Sequence, residues 1–149
     1  MASLAVIDDF LKQKRLAVVG VSRNPKEFSN GVFRKLKASG YEVLPVNRNA
    51  SEVEGEPCYA SVRDLPGPVD GVLVMVPATQ SAAVVQDCQA AGVKRVWLHR
   101  GGGQGAVSPE AVALARQAGM ALVDGACPYM FLDKAWFHRI HHFFTRLDP

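Results

Sequence analysis

Leu16-Ala-Val-Val-Gly-Val-Ser-Arg-Asn-Pro-Lys-Glu-Phe-Ser-Asn-Gly31 is a short apolar run that breaks at a glycine and then re-enters a helical pattern. A continuous apolar segment of this length is the signature of a parallel strand buried on both faces. Gly20 then lets the backbone turn tightly at the strand's carboxyl end, where ligands approach open α/β sheets. The following helix would offer free amides and a positive dipole end, which suits a pyrophosphate. The loop differs from the Gly-x-Gly-x-x-Gly dinucleotide fingerprint, because Ser22 and Pro25 stand where its second and third glycines would fall.

Outward from this stretch, strand-like and helix-like patterns alternate. Leu4, Ile7 and Leu11 fall at helical spacing over residues 4 to 13, with Ser3 as the N-cap. Val32 and Leu36, followed by Gly40, mark the helix after the loop. Tyr41–Asn47 reads as a second strand, with Pro45 expected past its last ladder bond. Residues 48 to 57 read as a polar loop, and Ser61–Leu65 as one helical turn. Val69–Val76 is a third strand ending at Pro77, and the alanine-rich residues 78 to 91 form a helix with Ala82, Val85 and Cys88 or Gln89 on one stripe.

Arg95–His99 is a fourth strand leading into the glycine loop 101–105, which reads equally as an anion-binding nest or as a flexible connection. Ser108-Pro109-Glu110 is a helix start with an N-cap, a proline at N1 and an acid in the first turn; that helix ends at Gly119. Ala121–Val123 is the fifth strand, and an amphipathic helix is expected at about residues 132 to 147. The alternation predicts an α/β fold: a Rossmann-like doubly wound parallel sheet of about five strands with helices on both faces. The chain of 149 residues is the size of a single domain, 1–149, able to bury a sizeable core.

Composition narrows the function classes. The formal charge of +3 is spread along the chain without a basic-aromatic motif, so an anionic small molecule fits and nucleic-acid binding is not expected. Cys58, Cys88 and Cys127 are odd in number and lack a C-x-x-C pair, which argues against disulfides or zinc and for a cytoplasmic location. The N-terminus has acidic residues where a signal peptide is apolar, and no membrane association is expected.

At the end of the second strand, Asn47 and Arg48 stand where an NAD site keeps an acid for the ribose 2′-hydroxyl. Arg48 suits a phosphorylated ribose instead, through a bidentate charge-assisted contact. Both NADP and coenzyme A (CoA) carry such a ribose and remain open on this reading.

Gly20-Val-Ser22 with Pro25 and Ser29, Gly40-Tyr41 leading to Leu44-Pro-Val-Asn47, Gly55, Tyr59, Val69-Asp70 and Val96-Trp-Leu98 together resemble the small CoA-binding domain proteins. They are also similar to the CoA-binding domain of the succinyl-CoA synthetase alpha subunit. The resemblance covers about residues 5 to 127 and implies that the ADP part of CoA lies across three loops. It places Gly20, Val21, Ser22 and Arg23 around the diphosphate, with Pro25 in the same loop and Ser29 as a further hydroxyl donor. It puts Val46, Asn47 and Arg48 against the adenosine and its 3′-phosphate, and Val76, Pro77 and Ala78 beside the adenine or pantetheine. Two departures are Arg48, where the family often has another proline, and the tail after Cys127.

The expected function is binding of CoA or an acyl-CoA through its ADP moiety as a non-catalytic carrier, sensor or regulatory module, without a complete catalytic constellation. The alternatives are an NADP-binding oxidoreductase or redox sensor, and a separately encoded CoA-binding part of an acyl-CoA ligase. Among the histidines, His138 and His142 share a helix face with His141 nearby, but Phe137, Ile140, Phe144 and Leu147 read as an ordinary apolar stripe, so no metal is expected. His99, at the end of the fourth strand, is the histidine best placed to face a ligand. Cys127 reads as an inert thiol, and Trp97 and Trp136 as packing residues. The aromatic last helix makes a homodimer or a partner protein an open possibility.

Overall fold

The computed structural model describes residues 3–101 and 103–132. The C-terminal helix expected at 132–147, with His138, His141, His142 and Trp136, lies outside the described residues save for Leu132.

Helix α1 (Leu4–Leu11) starts on Ser3, whose hydroxyl accepts from the Val6 amide at 3.3 Å, and it buries Ile7, Phe10 and Leu11. Strand β1 (Arg15–Val19) follows, then α2 (Phe28–Ala38) and β2 (Glu42–Val46). A small hairpin, β3 (Glu52–Val53) and β4 (Glu56–Pro57), precedes a 3-10 turn at Val62–Asp64. The chain continues through β5 (Gly71–Val74), α3 (Ala78–Ala90), β6 (Arg95–Leu98), α4 (Pro109–Gln117) and β7 (Ala121–Asp124), and reaches a second 3-10 turn at Pro128–Phe131.

Five strands form one parallel sheet in the order β2-β1-β5-β6-β7. The two-residue period of the strands explains the layers. Leu16, Val18, Leu73, Trp97 and Val123 point to one face and pack with Ile7 and Phe10 of α1 and with Val32, Phe33 and Leu36 of α2. Ala17, Val19, Val72, Val74, Val96 and Leu98 point to the other face, against Val85 and Cys88 of α3 and Ala111 and Ala115 of α4. Trp97 is fully buried, edge-on to Phe10 at 5.3 Å between centroids, and its indole N–H donates to the Ala126 carbonyl at 3.2 Å. The start of α4 is as the sequence predicts: Ser108 accepts from the Ala111 amide at 3.1 Å, with Pro109 at N1.

Three local expectations are corrected. Residues 48 to 57 are not all loop, because the β3–β4 hairpin turns on Glu54 and Gly55, both at positive φ (52° and 71°). That is a type I′ turn, usually marked by Asn or Asp before the glycine, and a glutamate there hides it. Ion pairs from α2, Arg34 to Glu54 and Lys37 to Glu56, hold the hairpin in place. Pro45 lies inside β2, in register with Val18. It is tolerated because its missing N–H faces the outer edge, where its carbonyl instead accepts from the Tyr59 amide at 3.1 Å. The buried stripe of α3 is Ser81, Val85 and Cys88, displaced by one residue from Ala82 at its start.

Because β1 leads to β2 on one side and the chain then crosses to β5 on the other, the order of the sheet reverses between β1 and β5. In such sheets the crevice beyond the carboxyl ends of the strands at this reversal is the place for a ligand.

Candidate functional site

Gly20, directly after β1, is wedged between its neighbours. Its amide donates to the Val46 carbonyl at 2.9 Å, its φ is +107°, and a Cβ there would lie 2.3 Å from the Met75 carbonyl oxygen. The glycine is therefore required by the seam between β1 and β5 itself, before any ligand is considered.

The loop that follows is tied down from three directions. Val21 is fully buried, and its carbonyl accepts from Asn47 Nδ2 at 2.8 Å. The Asn30 side chain, almost wholly buried in the first turns of α2, clamps Ser22 on both sides. Its Oδ1 accepts from the Ser22 amide at 2.8 Å, and its Nδ2 donates to the Ser22 carbonyl at 2.7 Å. Ser22 Oγ accepts from the Asn24 amide at 3.0 Å, and Arg34 Nη2 donates to the Pro25 carbonyl at 3.1 Å. Arg23 and Pro25 project at the exposed rim of this loop. Glu27 holds the N-cap of α2 with no side-chain cap, leaving the helix start with its positive dipole end beside the loop.

A cleft of about 440 Å³ opens at the reversal point. It brings together Gly20, Val46, Asn47, Arg48, Val76 and Pro77 of the residues expected from the sequence. Val21, Ser22, Arg23 and Pro25 belong to the adjoining loop and do not line the cleft, and Ala78 is the first residue of α3 beside it. Ser29 lies in a second hollow of about 300 Å³ on the far side of the Met75–Pro77 ridge, which both hollows share. Asn47 has a positioning role here: besides holding Val21, its Oδ1 accepts from the Asn49 amide at 2.8 Å, which shapes the backbone that presents Arg48.

Among the lining residues, Ser61, Val62 and Asp87 were not singled out from the sequence, whereas the strand-end stretch Pro77–Gln80 was. Thr79 and Gln80 face the cleft from the first turn of α3, whose N-cap, Pro77, supplies no side-chain acceptor. Ser61 caps the 3-10 turn by accepting from the Arg63 amide at 3.1 Å and donates to Asp87 Oδ2 at 3.1 Å, joining that turn to α3 across the cleft wall. The cleft thus offers apolar walls (Val46, Val62, Val76, Val84), a helix N-terminus and the exposed cation Arg48.

The second hollow contains His99, from the end of β6. Its Nε2 is buried with no hydrogen-bond partner among the described residues, and burial lowers its pKa below the usual histidine value, so the ring is neutral at physiological pH. Gly105, in the glycine loop, closes back on the same strand end: the Ala106 amide donates to the His99 carbonyl at 2.8 Å, and a Cβ on Gly105 would lie 2.3 Å from that oxygen. The thiols are set against nucleophilic chemistry: burial pushes Cys127 up, and Cys88 to about 12. Among the described residues no cluster of side chains suits a metal ion, and no helix is long and apolar enough to cross a membrane.

Comparison with known proteins places the chain in a family. The CoA binding domain family matches residues 14–133. The chain is 33% identical over 129 residues to the alpha subunit of an ADP-forming acetate–CoA ligase II from Pyrococcus furiosus, a match over 82% of this chain but 28% of that subunit. It is 30% identical over 126 residues to YneT, an uncharacterized protein of Bacillus subtilis, covering 84% of this chain and 90% of YneT. Among solved structures, a hypothetical protein from Pyrococcus horikoshii superposes with a TM-score of 0.75 at 31% identity, over 83% of this chain and 84% of the other. With a Rossmann-like sheet, a glycine seam at its reversal point and a family match over most of its length, this chain belongs to the CoA-binding domain family.

Proposed function

We propose that the protein binds CoA or an acyl-CoA through its ADP moiety and acts as a non-catalytic carrier, sensor or regulatory module. The observation that carries this reading is the cleft at the β1/β5 reversal, where the Gly20 loop, the first turn of α3 and Arg48 converge. A nucleotide diphosphate fits between the loop Gly20–Arg23 and the adjacent helix ends, with Ser29 as a further donor. The adenosine packs against Val46, Val76, Pro77 and Ala78, and Arg48 pairs with the 3′-phosphate while Asn47 holds its backbone. A homodimer or a partner protein is compatible with that role.

One observation favours a second reading, a CoA-binding part of a ligase completed by another chain: the match to the Pyrococcus furiosus alpha subunit. Both readings require CoA.

Thermal unfolding with CoA, acetyl-CoA, dephospho-CoA, NADPH and NADH tests the ligand. A ligand present at 100 times its Kd adds about 2.7 kcal/mol of stability. For a chain of this size that raises the Tm by roughly 5–11 °C. CoA and acetyl-CoA should give this rise and the nicotinamide nucleotides should not; no rise with either CoA species overturns the proposal, and a rise with NADPH alone points to the oxidoreductase reading instead.

A further inference from the structure

The stripe of α3 that lines the nucleotide cleft is Gln80, Ala83, Val84 and Asp87, at i, i+3, i+4 and i+7 on one side of the helix. Its middle is apolar, a surface on which a flat base can lie, and its two ends are polar. Val62, on the 3-10 turn across the cleft, is buried and adds a second apolar wall. The slot between them is closed at the Asp87 end, where Ser61 Oγ donates to Asp87 Oδ2 at 3.1 Å. The one proton of that hydroxyl is thereby committed, and the same oxygen accepts from the Arg63 amide at 3.1 Å. Asp87 is half-buried, and its other oxygen, Oδ1, has no hydrogen-bond partner among the described residues. The closed end of the slot therefore offers a charged acceptor and no free side-chain donor. Gln80, whose amide serves either kind of partner, sits two turns away along the helix, about 10 Å.

We infer that Asp87 sets the base specificity of the cleft, its free carboxylate oxygen accepting a hydrogen bond from the exocyclic amino group of adenine. The inference rests on the CoA reading above and names the residue that enforces its base. A base entering between Val46 and Pro77 lies along the α3 stripe, and its leading edge meets Asp87. Adenine brings an N–H donor to that oxygen, a charge-assisted pair. A purine without the amino group leaves the oxygen desolvated and unpaired. A 6-oxopurine sets a second acceptor against it, and the bond from Ser61 holds the carboxylate against turning to the neighbouring N1–H of such a base. On the same reading the diphosphate sits beside Gly20 and the first residue of α3, about 13 Å along the helix from Asp87. The carboxylate thus meets the base and stands clear of the diphosphate.

The test is calorimetric titration of the protein with CoA and two analogues altered only in the base: deamino-CoA, which carries hypoxanthine, and the analogue carrying unsubstituted purine. Wild type should bind CoA at least about tenfold more tightly than either analogue. Asp87→Asn keeps an acceptor for Ser61, removes the charge and adds an amide N–H that serves the hypoxanthine oxygen. It should bring both analogues within about threefold of CoA, deamino-CoA by binding more tightly than it does to wild type. A residue that only braced the cleft wall would weaken all three ligands together and leave their ratios as they were. Equal affinity of wild type for CoA and the purine analogue, a wild-type preference for deamino-CoA, or ratios unchanged in Asp87→Asn overturns the inference while leaving CoA binding intact. If none of the three ligands binds, the CoA reading fails and this inference fails with it.

Discussion

Replacing Asn30 by aspartate changes one atom of the clamp on the phosphate loop and should turn it into a pH-dependent fault. Asn30 is 1% exposed and makes two bonds to Ser22, accepting from its amide at 2.8 Å and donating to its carbonyl at 2.7 Å. The Asn30→Asp side chain would keep the first bond and set a carboxylate oxygen against the Ser22 carbonyl in place of the second. A lost bond plus an unpaired buried carboxylate costs roughly 3 kcal/mol at neutral pH. The same contact raises the folded-state pKa of the new carboxyl above its unfolded value of about 3.9. The folded state then binds more protons than the unfolded state between those two values, so the variant loses stability as pH rises through this window and recovers it below about pH 4. Once protonated, the new carboxyl again donates to the Ser22 carbonyl. Denaturant unfolding of wild type, Asn30→Asp and Asn30→Ala from pH 3.5 to 8 separates the contributions. Asn30→Ala should cost about 1–2 kcal/mol with no such pH dependence, since water can reach the half-buried Ser22. An Asn30→Asp penalty below about 0.5 kcal/mol, or one that is flat with pH, would refute the clamp.

Gly20→Ala should destabilise by about 3 kcal/mol or more, lowering the Tm by roughly 6–12 °C, because the methyl group meets the Met75 carbonyl at a backbone angle that alanine rarely adopts; wild-type stability would contradict the seam. Arg48→Ala should weaken CoA by about tenfold and dephospho-CoA little, with a smaller salt dependence of CoA binding; equal losses would show that Arg48 does not meet the 3′-phosphate. His99 should titrate below the usual 6.5 in nuclear magnetic resonance spectra. Since its folded pKa is depressed, its contribution is present above about pH 6.5 and lost as pH falls through the folded value, so His99→Gln should flatten the stability profile there.

What could be read from the sequence follows the strength of the local signals. The apolar run of β1 and the Ser108-Pro109-Glu110 helix start are decided by burial and capping within a few residues, and both stand in the structure as read. The role of Gly20 was legible only as a need for a tight turn; the Met75 carbonyl that excludes a Cβ comes from the residue just after β5, more than fifty residues onward, and no local pattern signals it. Asn30 left a trace, a lone amide on the same helix stripe as Phe33 and Leu36, where a polar residue must have a buried partner. The Ser61–Asp87 contact left none, because it joins a turn to a helix across the cleft. The Glu54-Gly55 turn was hidden by its glutamate, whose positive φ is accommodated in a hairpin that α2 grips from the side. The resemblance named the ligand class, and the family match supports it; the division into two hollows along one ridge emerged from the packing.

The most direct measurement is a crystal structure of the protein grown with CoA. The adenine should lie in the cleft between Val46 and Pro77, the diphosphate against Gly20–Arg23, and the 3′-phosphate within hydrogen-bond reach of Arg48. An adenine bound away from the β1/β5 reversal, or a 3′-phosphate pointing away from Arg48 into solvent, would contradict the central claim.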